Sequence, residues 1–370
     1  MLLPLLSLLT LPAGAPLPEP PAPAWFALGH RVVARIAERR LSPRAATAVR
    51  ELLGGQSLAD ASVWADQIRD RRRDTDVLHY VNIPLAATAY DPRFCPPAGC
   101  IISAIEQNRR VLADSSASAI ARGEALRFLV HLIGDLHQPL HVADNDDRGG
   151  NLTQVRFRGR GTNLHRVWDG ELIETEWGGD EQRCLDHLTD RMATLDLPAL
   201  ERGTVVEWAM EGHRIAAEAA YDIPRNRQLG TDYSERVLPA VDLALIEAGV
   251  RLARVLNEAL AAYRGAPAEP ALPPGTYPDR EAAAHAGEVA TIVGTVVTVR
   301  RTPSGNTYLN FGADYPHQTF SGAVLNPKDP GLLRLDTLAG KRVGIRGLIR
   351  IYKGQPEILV EGLEQITVLE

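Results

Sequence analysis

The stretch from Phe128 to His141, FLVHLIGDLHQPLH, constrains this chain more than any other. Leucine, valine, isoleucine and phenylalanine at helical spacing predict a buried helix running up to Pro139, which stops it because proline lacks the N–H and clashes with the preceding turn. His131 and Asp135 stand four residues apart, so they project from one face, and His141 lies just past the break. A buried carboxylate without a compensating charge is costly, so Asp135 demands a cation, and imidazole beside carboxylate is a metal-ligand pair. A core helix with one hydrogen-bonded histidine would explain His131 alone. It would leave the acid and the second histidine without a reason. His137 points away from the His131–Asp135 face at helical geometry and is not counted among the ligands.

Further donors lie along the chain. LHRVWD repeats the H-x-x-x-D spacing with His165 and Asp169, SVWADQIR supplies Asp66, and LHYVNIP supplies His79 on an extended or buried segment. WFALGH sets Trp25 and His30 at the start of the first helix. Nitrogen and carboxylate donors without thiolates suit zinc in a hydrated, catalytic site rather than a structural finger. The donors outnumber what one four-coordinate ion can use, so more than one metal is implied.

At 370 residues the chain has room for two domains, and its periodicity changes once. Residues 25–263 read as mainly helical, with helices expected over 30–41, 43–53, 60–71, 101–121 and 124–138 and long helical runs after Glu181, Val205 and Ser234. A polar, glycine-rich loop, DNDDRGGN, covers 144–151, and one short strand is expected over 152–158. Residues 264–284, rich in proline, read as an extended linker. From 285 to 370 the period becomes two, with five β-branched segments separated by PSGN, NPKDPG and KG turns and a helix-compatible GLLRLDTLAG before the fourth, which suits a small OB-type barrel. On that barrel Arg346, Arg350 and Lys353 are candidates to follow a phosphate backbone, with Tyr308, Phe311, Phe320 or Tyr352 stacking bases. The alternative is that valine and isoleucine fill the barrel and the arginines are simply solvated.

The charge balance, 40 basic against 46 acidic residues for a net charge of -6, advertises no nucleic-acid partner. An anionic substrate would need a local positive charge, which bound divalent cations supply. The opening MLLPLLSLLTLPAG and the small residues APA before Trp25 read as a signal peptide over 1–24, too short and proline-broken for a membrane span. The expected destination is secreted or periplasmic, without membrane attachment after cleavage. Cys95 and Cys100 flank a tight PPAG turn and could pair there, which export permits, whereas Cys184 has no evident mate.

These motifs, in this order, resemble the zinc-dependent single-strand-specific nucleases of the S1/P1 type, to which mung bean nuclease belongs. The resemblance covers 25–263 and rests on WFALGH, SVWADQIR, LHYVNIP, CPPAGCIISAI, FLVHLIGDLHQPLH, RGGN, NLHRVWD and AGVRLARVLN. It implies a phospholipase C/nuclease-type helical fold holding three zinc ions per chain. Asp66, His79, His131 and Asp135 would hold one ion. The α-amino nitrogen and carbonyl oxygen of Trp25, with His30 and the second oxygen of Asp135, would hold another, and His141, His165 and Asp169 the third. Asp135 would bridge two ions. Arg69 matches a phosphate-facing arginine and Tyr80 a base-stacking aromatic. Asn82 stands where some members carry an aspartate that contacts the base, so base preference is left open, as is 3′-nucleotidase activity. The implied reaction is endonucleolytic hydrolysis of single-stranded DNA and RNA to 5′-phosphorylated products, with Asp135 and Arg69 in catalysis and no protein partner in view. A zinc-dependent phospholipase C is the nearest alternative, disfavoured by the short Trp25–His30 spacing and by Asp169 where glutamate would stand. A non-catalytic secreted metal- or nucleic-acid-binding protein is the second.

Overall fold

The computed structural model describes residues 26–264, 272–313, 315, 318–326 and 330–369. The apolar leader and Trp25 lie outside the described residues. The chain divides into two compact units near residue 266.

In the first unit, helices α1 (Phe26–Glu38), α2 (Pro43–Leu52), α3 (Leu58–Ala61), α4 (Trp64–Ile68), α5 (Ile101–Ala113) and α6 (Ala119–Leu136) follow one another. Strands β1 (Gln154–Phe157) and β2 (Arg160–Asn163) make an antiparallel hairpin, and α7 (Leu164–Arg166) leads through a π-helical turn at Val167–Glu171 into α8 (Leu172–Trp177). Helices α9 (Glu181–Met192), α10 (Leu197–Leu200) and α11 (Val205–Ile215) come next, then β3 (Gln228–Leu229), which runs parallel to β1, and the long α12 (Thr231–Ala259). Polar residues start these helices. Ser42, Ser57 and Ser118 each accept a first-turn backbone N–H, and Pro43 follows Ser42 where its missing N–H costs nothing.

Helix α6 is the axis of this unit. Every residue from Phe128 to Leu136 is buried, and the helix packs against α1, α2, α3, α4, α5 and α12. Over 128–136 the helix is apolar on all sides and has no solvent face, so the one carboxylate of that stretch, Asp135, is necessarily internal. Cys95 and Cys100 form a disulfide, and Cys184 is free and buried.

Several boundaries differ from expectation. The helix expected over 101–121 ends at Ala113, and α6 starts at Ala119 rather than at 124. Between them the Asp114 carboxylate accepts the Ser116 N–H at 2.8 Å, a local turn that competes with the helix. The helix expected over 60–71 breaks at Ser62–Val63, where the Ser62 hydroxyl donates to the Ala59 carbonyl at 2.7 Å. The strand expected over 152–158 gains two partners, β2 and β3.

The second unit is a closed barrel of β5 (Val289–Arg301), β6 (Thr307–Phe311), β7 (Phe320–Val324), β8 (Arg342–Tyr352) and β9 (Gln355–Leu359), preceded by β4 (Thr276–Pro278) and followed by β10 (Ile366–Val368). Around the barrel the order is β5-β6-β7-β9-β8 and back to β5, with β7 and β9 parallel. The helix-compatible segment forms a 3₁₀ stretch, Pro330–Leu338, between β7 and β8. The segment read as linker is corrected in part: Thr276–Pro278 pairs with β5, and a 3₁₀ turn follows over Asp279–His285. Phe311 and Phe320 are fully buried in the barrel core, so neither ring can stack a base, and Arg350 is bound by Glu357 at 2.5 Å. Among the described residues no helix is long and apolar enough to cross a membrane.

Helix α6 depends at its start on Ser118, whose hydroxyl accepts the Ala121 N–H at 3.2 Å. Ser118→Ala is expected to lower stability by about 1 kcal/mol. Urea unfolding of the intact chain, followed by far-ultraviolet circular dichroism, measures it.

Candidate metal centre

Asp135 sits in the last turn of α6 at 0% exposure, and imidazoles reach it from four directions. Its Oδ1 lies 3.3 Å from His30 Nε2 and 3.4 Å from His141 Nδ1. Its Oδ2 lies 2.9 Å from His79 Nδ1 and 3.1 Å from His131 Nε2. Asp66, from α4, adds an oxygen 3.6 Å from His131 Nε2 and 3.9 Å from His79 Nδ1. Beyond His141, Asp169 lies 3.2 Å from His141 Nε2 and 3.8 Å from His165 Nε2. His30–Asp66–His131, His79–His131–Asp135 and His141–His165–Asp169 are each spaced so that one ion could be held among them.

The folding reasons are local. His30 is on α1, and its ring stacks on His131 at 4.0 Å between centroids because Gly134 leaves it room. A Cβ at Gly134 would stand 2.7 Å from His30 Nδ1. His79 ends a 3₁₀ turn, Arg73–His79, which drops its ring into the core at 2% exposure. His165 and Asp169 span α7 and the π-helical turn, a widened helix of the kind found at functional sites.

Neighbouring groups orient the donors. His131 Nδ1–H donates to the Ser62 carbonyl at 2.7 Å, which turns Nε2 toward the acids. His165 Nδ1–H donates to the Gly149 carbonyl at 2.8 Å, with the same effect. Gly149 belongs to the RGGN turn at φ 60°, where a Cβ would meet the Leu140 carbonyl oxygen at 2.4 Å, so the turn tolerates only glycine there. The Gln138 amide donates to Asp169 Oδ1 at 3.1 Å while its carbonyl accepts the Leu140 N–H at 2.6 Å. Sequence reasoning missed Ser62, Gly134, Gly149 and Gln138 in these roles. All four stood inside quoted motifs, but the backbone carbonyls of Ser62 and Gly149 leave no residue-type signal.

Burial disfavours charged His131, but attraction to Asp135 and Asp66 outweighs it and pushes its pKa up to about 9. Burial works against ionised Asp135 as well, yet His131 and His141 hold it well below the usual carboxylate range. His141 is raised by Asp135 and Asp169 against the effect of its own burial, and burial lowers His79. Without a cation, then, the acids favour a proton on His131. His79 Nε2, His141 Nδ1 and Asp135 Oδ1 are buried without a well-aligned hydrogen bond, as expected of donors arranged for something other than one another.

His137 stays outside this cluster. Its Nδ1–H donates to the Ile133 carbonyl at 2.7 Å and its Nε2 accepts from Arg251 at 3.0 Å, and burial with that guanidinium drives its pKa down to about 3. Arg69 lies at the edge, with Nη1 3.5 Å from Asp66 and Nε 3.0 Å from Asp76. Tyr80 is 38% exposed beside His79, and Asn82 is exposed two residues on. Trp25 is outside the described residues.

Residues 25–261 match the S1/P1 Nuclease family. The chain is 33% identical to Endonuclease 2 of Arabidopsis thaliana, over 63% of this chain and 89% of that protein. It is 31% identical to Nuclease P1 of Penicillium citrinum, over 63% of this chain and 97% of that one. Nuclease S1 of Aspergillus oryzae is 30% identical over 63% of this chain and 91% of its own. An internal histidine–aspartate cluster on this scaffold marks a hydrolase acting on ester bonds. The chain belongs to the S1/P1 nuclease family and is an endonuclease by that membership. The family match ends at residue 261, before the barrel.

Two outcomes are expected at the centre. Removing the Gln138 amide in Gln138→Ala frees Asp169 and should weaken binding of a divalent cation by about 10–100-fold, measured by competition with a chelating dye. His131, raised above its ordinary pKa of 6.5 to about 9, is protonated in the cation-free protein at neutral pH, so binding must expel that proton. Affinity should therefore fall as pH drops from about 9, by about tenfold per unit. Titrations at pH 7, 8 and 9 with counted proton release test the sign.

Proposed function

We propose that the chain is a secreted, zinc-dependent endonuclease that hydrolyses single-stranded DNA and RNA to 5′-phosphorylated products at a trinuclear site. The observation that carries this reading is Asp135, a fully buried carboxylate whose two oxygens each face two imidazoles. The donor set fits zinc: nitrogen and oxygen only, several buried atoms without hydrogen bonds, and imidazole tautomers set by backbone carbonyls. Asp66, His79, His131 and Asp135 would hold one ion, His30 and Asp135 with the α-amino end of Trp25 a second, and His141, His165 and Asp169 a third. Zinc, when bound, supplies Lewis acidity, acidifying water and neutralising charge on the phosphodiester.

The protein's own groups supply position. Arg69, braced between Asp66 and Asp76, presents a planar guanidinium at the rim where a phosphate would enter. Tyr80, partly exposed next to His79, offers a ring to a base that is already unstacked. A stacking requirement of that kind selects single strands without reading sequence. Asn82 beside it would contribute to base contact. Family membership favours the nuclease over a phospholipase C, and the apolar leader over 1–24 supports export.

For the barrel, the strand order and the parallel β7–β9 pair support an OB-type fold. Zinc analysis beside cleavage of single-stranded DNA, double-stranded DNA and phosphatidylcholine vesicles tests the central reading. The expected result is about three zinc per chain, preference for single strands, and no lipid hydrolysis. Asp135→Asn should lower both zinc content and turnover, the latter on the order of 10³-fold. Full activity in zinc-free protein, or in Asp135→Asn, would overturn it.

A further inference from the structure

Four arginines stand on the small sheet beside the third donor group. Arg156 is on β1, Arg158 at the hairpin turn, Arg160 on β2, and Arg227 immediately before β3. All four are exposed. Arg156 donates only to the Gly159 carbonyl, Arg227 to the Gln154 carbonyl, and Arg158 lies over the Phe157 ring. Among the described residues none of the four pairs with a carboxylate. Arginines elsewhere in this unit that do include Arg31, Arg35, Arg40, Arg69 and Arg72. In a chain with net charge -6, four guanidinia without carboxylate partners on one small sheet are a local reversal of sign.

The hairpin is tied to the centre. Asn163 ends β2 and caps the turn that carries His165, accepting the Arg166 N–H at 2.8 Å. The His165 N–H donates to the Gly150 carbonyl at 3.3 Å, which fastens the hairpin's base to the RGGN loop. Strand β2, Arg160–Asn163, lies between His165 and the turn at Arg158 and spans about 10 Å. Arg148, also exposed, lies in that loop one residue before the carbonyl that orients His165. No exposed aromatic ring lies on β1, β2 or β3.

We propose that this hairpin is an extended substrate subsite that holds the phosphate backbone of a long single-stranded nucleic acid as it passes the His141–His165–Asp169 group. It rests on the nuclease reading of that centre and adds a length preference to it. The guanidinia bind phosphates by charge and forked hydrogen bonds, and without rings to stack on they read no base.

The test compares the full chain with Arg156→Gln/Arg158→Gln/Arg160→Gln/Arg227→Gln. Binding of a cleavage-resistant phosphorothioate 20-mer is measured across salt concentrations, and hydrolysis is measured on a dinucleotide and on a 20-mer. The expected variant binds the 20-mer at least tenfold more weakly, and its salt dependence is shallower by about 0.7 in slope per arginine removed. Its KM rises on the 20-mer, while kcat and dinucleotide hydrolysis hold, which also shows that the centre is folded. Unchanged 20-mer affinity and salt slope would overturn the subsite. A parent chain that cleaves neither substrate would instead overturn the nuclease reading.

Discussion

A single carboxylate, placed where water cannot reach it, sets the terms for the helical unit. Asp135 is met at close range by four imidazoles, and leaving an isolated anion in such a place is prohibitive. The fold therefore has to keep positive charge at that point under all conditions. Asp135 and its neighbouring acids favour a proton on His131, whose pKa is raised to about 9, and shift His141 in the same direction. Because an ordered cation site exists only in the folded chain, any ion bound there contributes its binding free energy directly to folding. Stability and chemistry share the same few atoms.

That concentration explains how the rest of the unit is distributed. Donors come from α1, α4, the turn ending at His79, α6, the segment after Pro139 and the π-helical turn, so no one element can shift without disturbing the others. Rigid helices carry the acids, while backbone carbonyls of Ser62 and Gly149 aim the rings. Main-chain acceptors suit that task because they cannot change rotamer or protonation state. Space is rationed in the same way: Gly134 lets the His30 ring lie against α6, and any larger residue would push that donor away from Asp135.

Much of this was legible in the sequence where periodicity and chemistry coincided. FLVHLIGDLHQPLH declared a buried helix and an unbalanced acid at once, and the H-x-x-x-D repeat located His165 and Asp169. Asp66, His79 and His30 could be gathered with them only through resemblance, because bringing α1, α4 and a 3₁₀ turn onto one point is a tertiary event with no local signature. Boundaries failed where short polar side chains competed with the helix, as at Asp114 to Ser118 and at Ser62. The barrel's five strands were visible as alternation, but not the parallel β7–β9 contact that closes it, nor the pairing of Thr276–Pro278 with β5. Alternation also could not say which aromatic rings face inward, so Phe311 and Phe320 read as surface candidates although both fill the core.

Charge is arranged by location rather than by total. An acidic chain repels a polyanion at long range, and screening limits that repulsion to about 8–10 Å in physiological salt. Within that distance only the local pattern matters. At the metal centre Asp66, Asp135 and Asp169 invite cations, and Arg69 at the rim has two of its donors occupied by acids. On the β1–β2 hairpin the arginines face solvent without such partners. The barrel follows the first pattern, since Arg350 is bound by the buried Glu357 and Arg301 by Asp336. An arginine already paired with a neighbour must share or give up that pair to bind a phosphate. An unpaired one gives up only water. The hairpin therefore has more to gain from a phosphate backbone than the barrel's bound arginines.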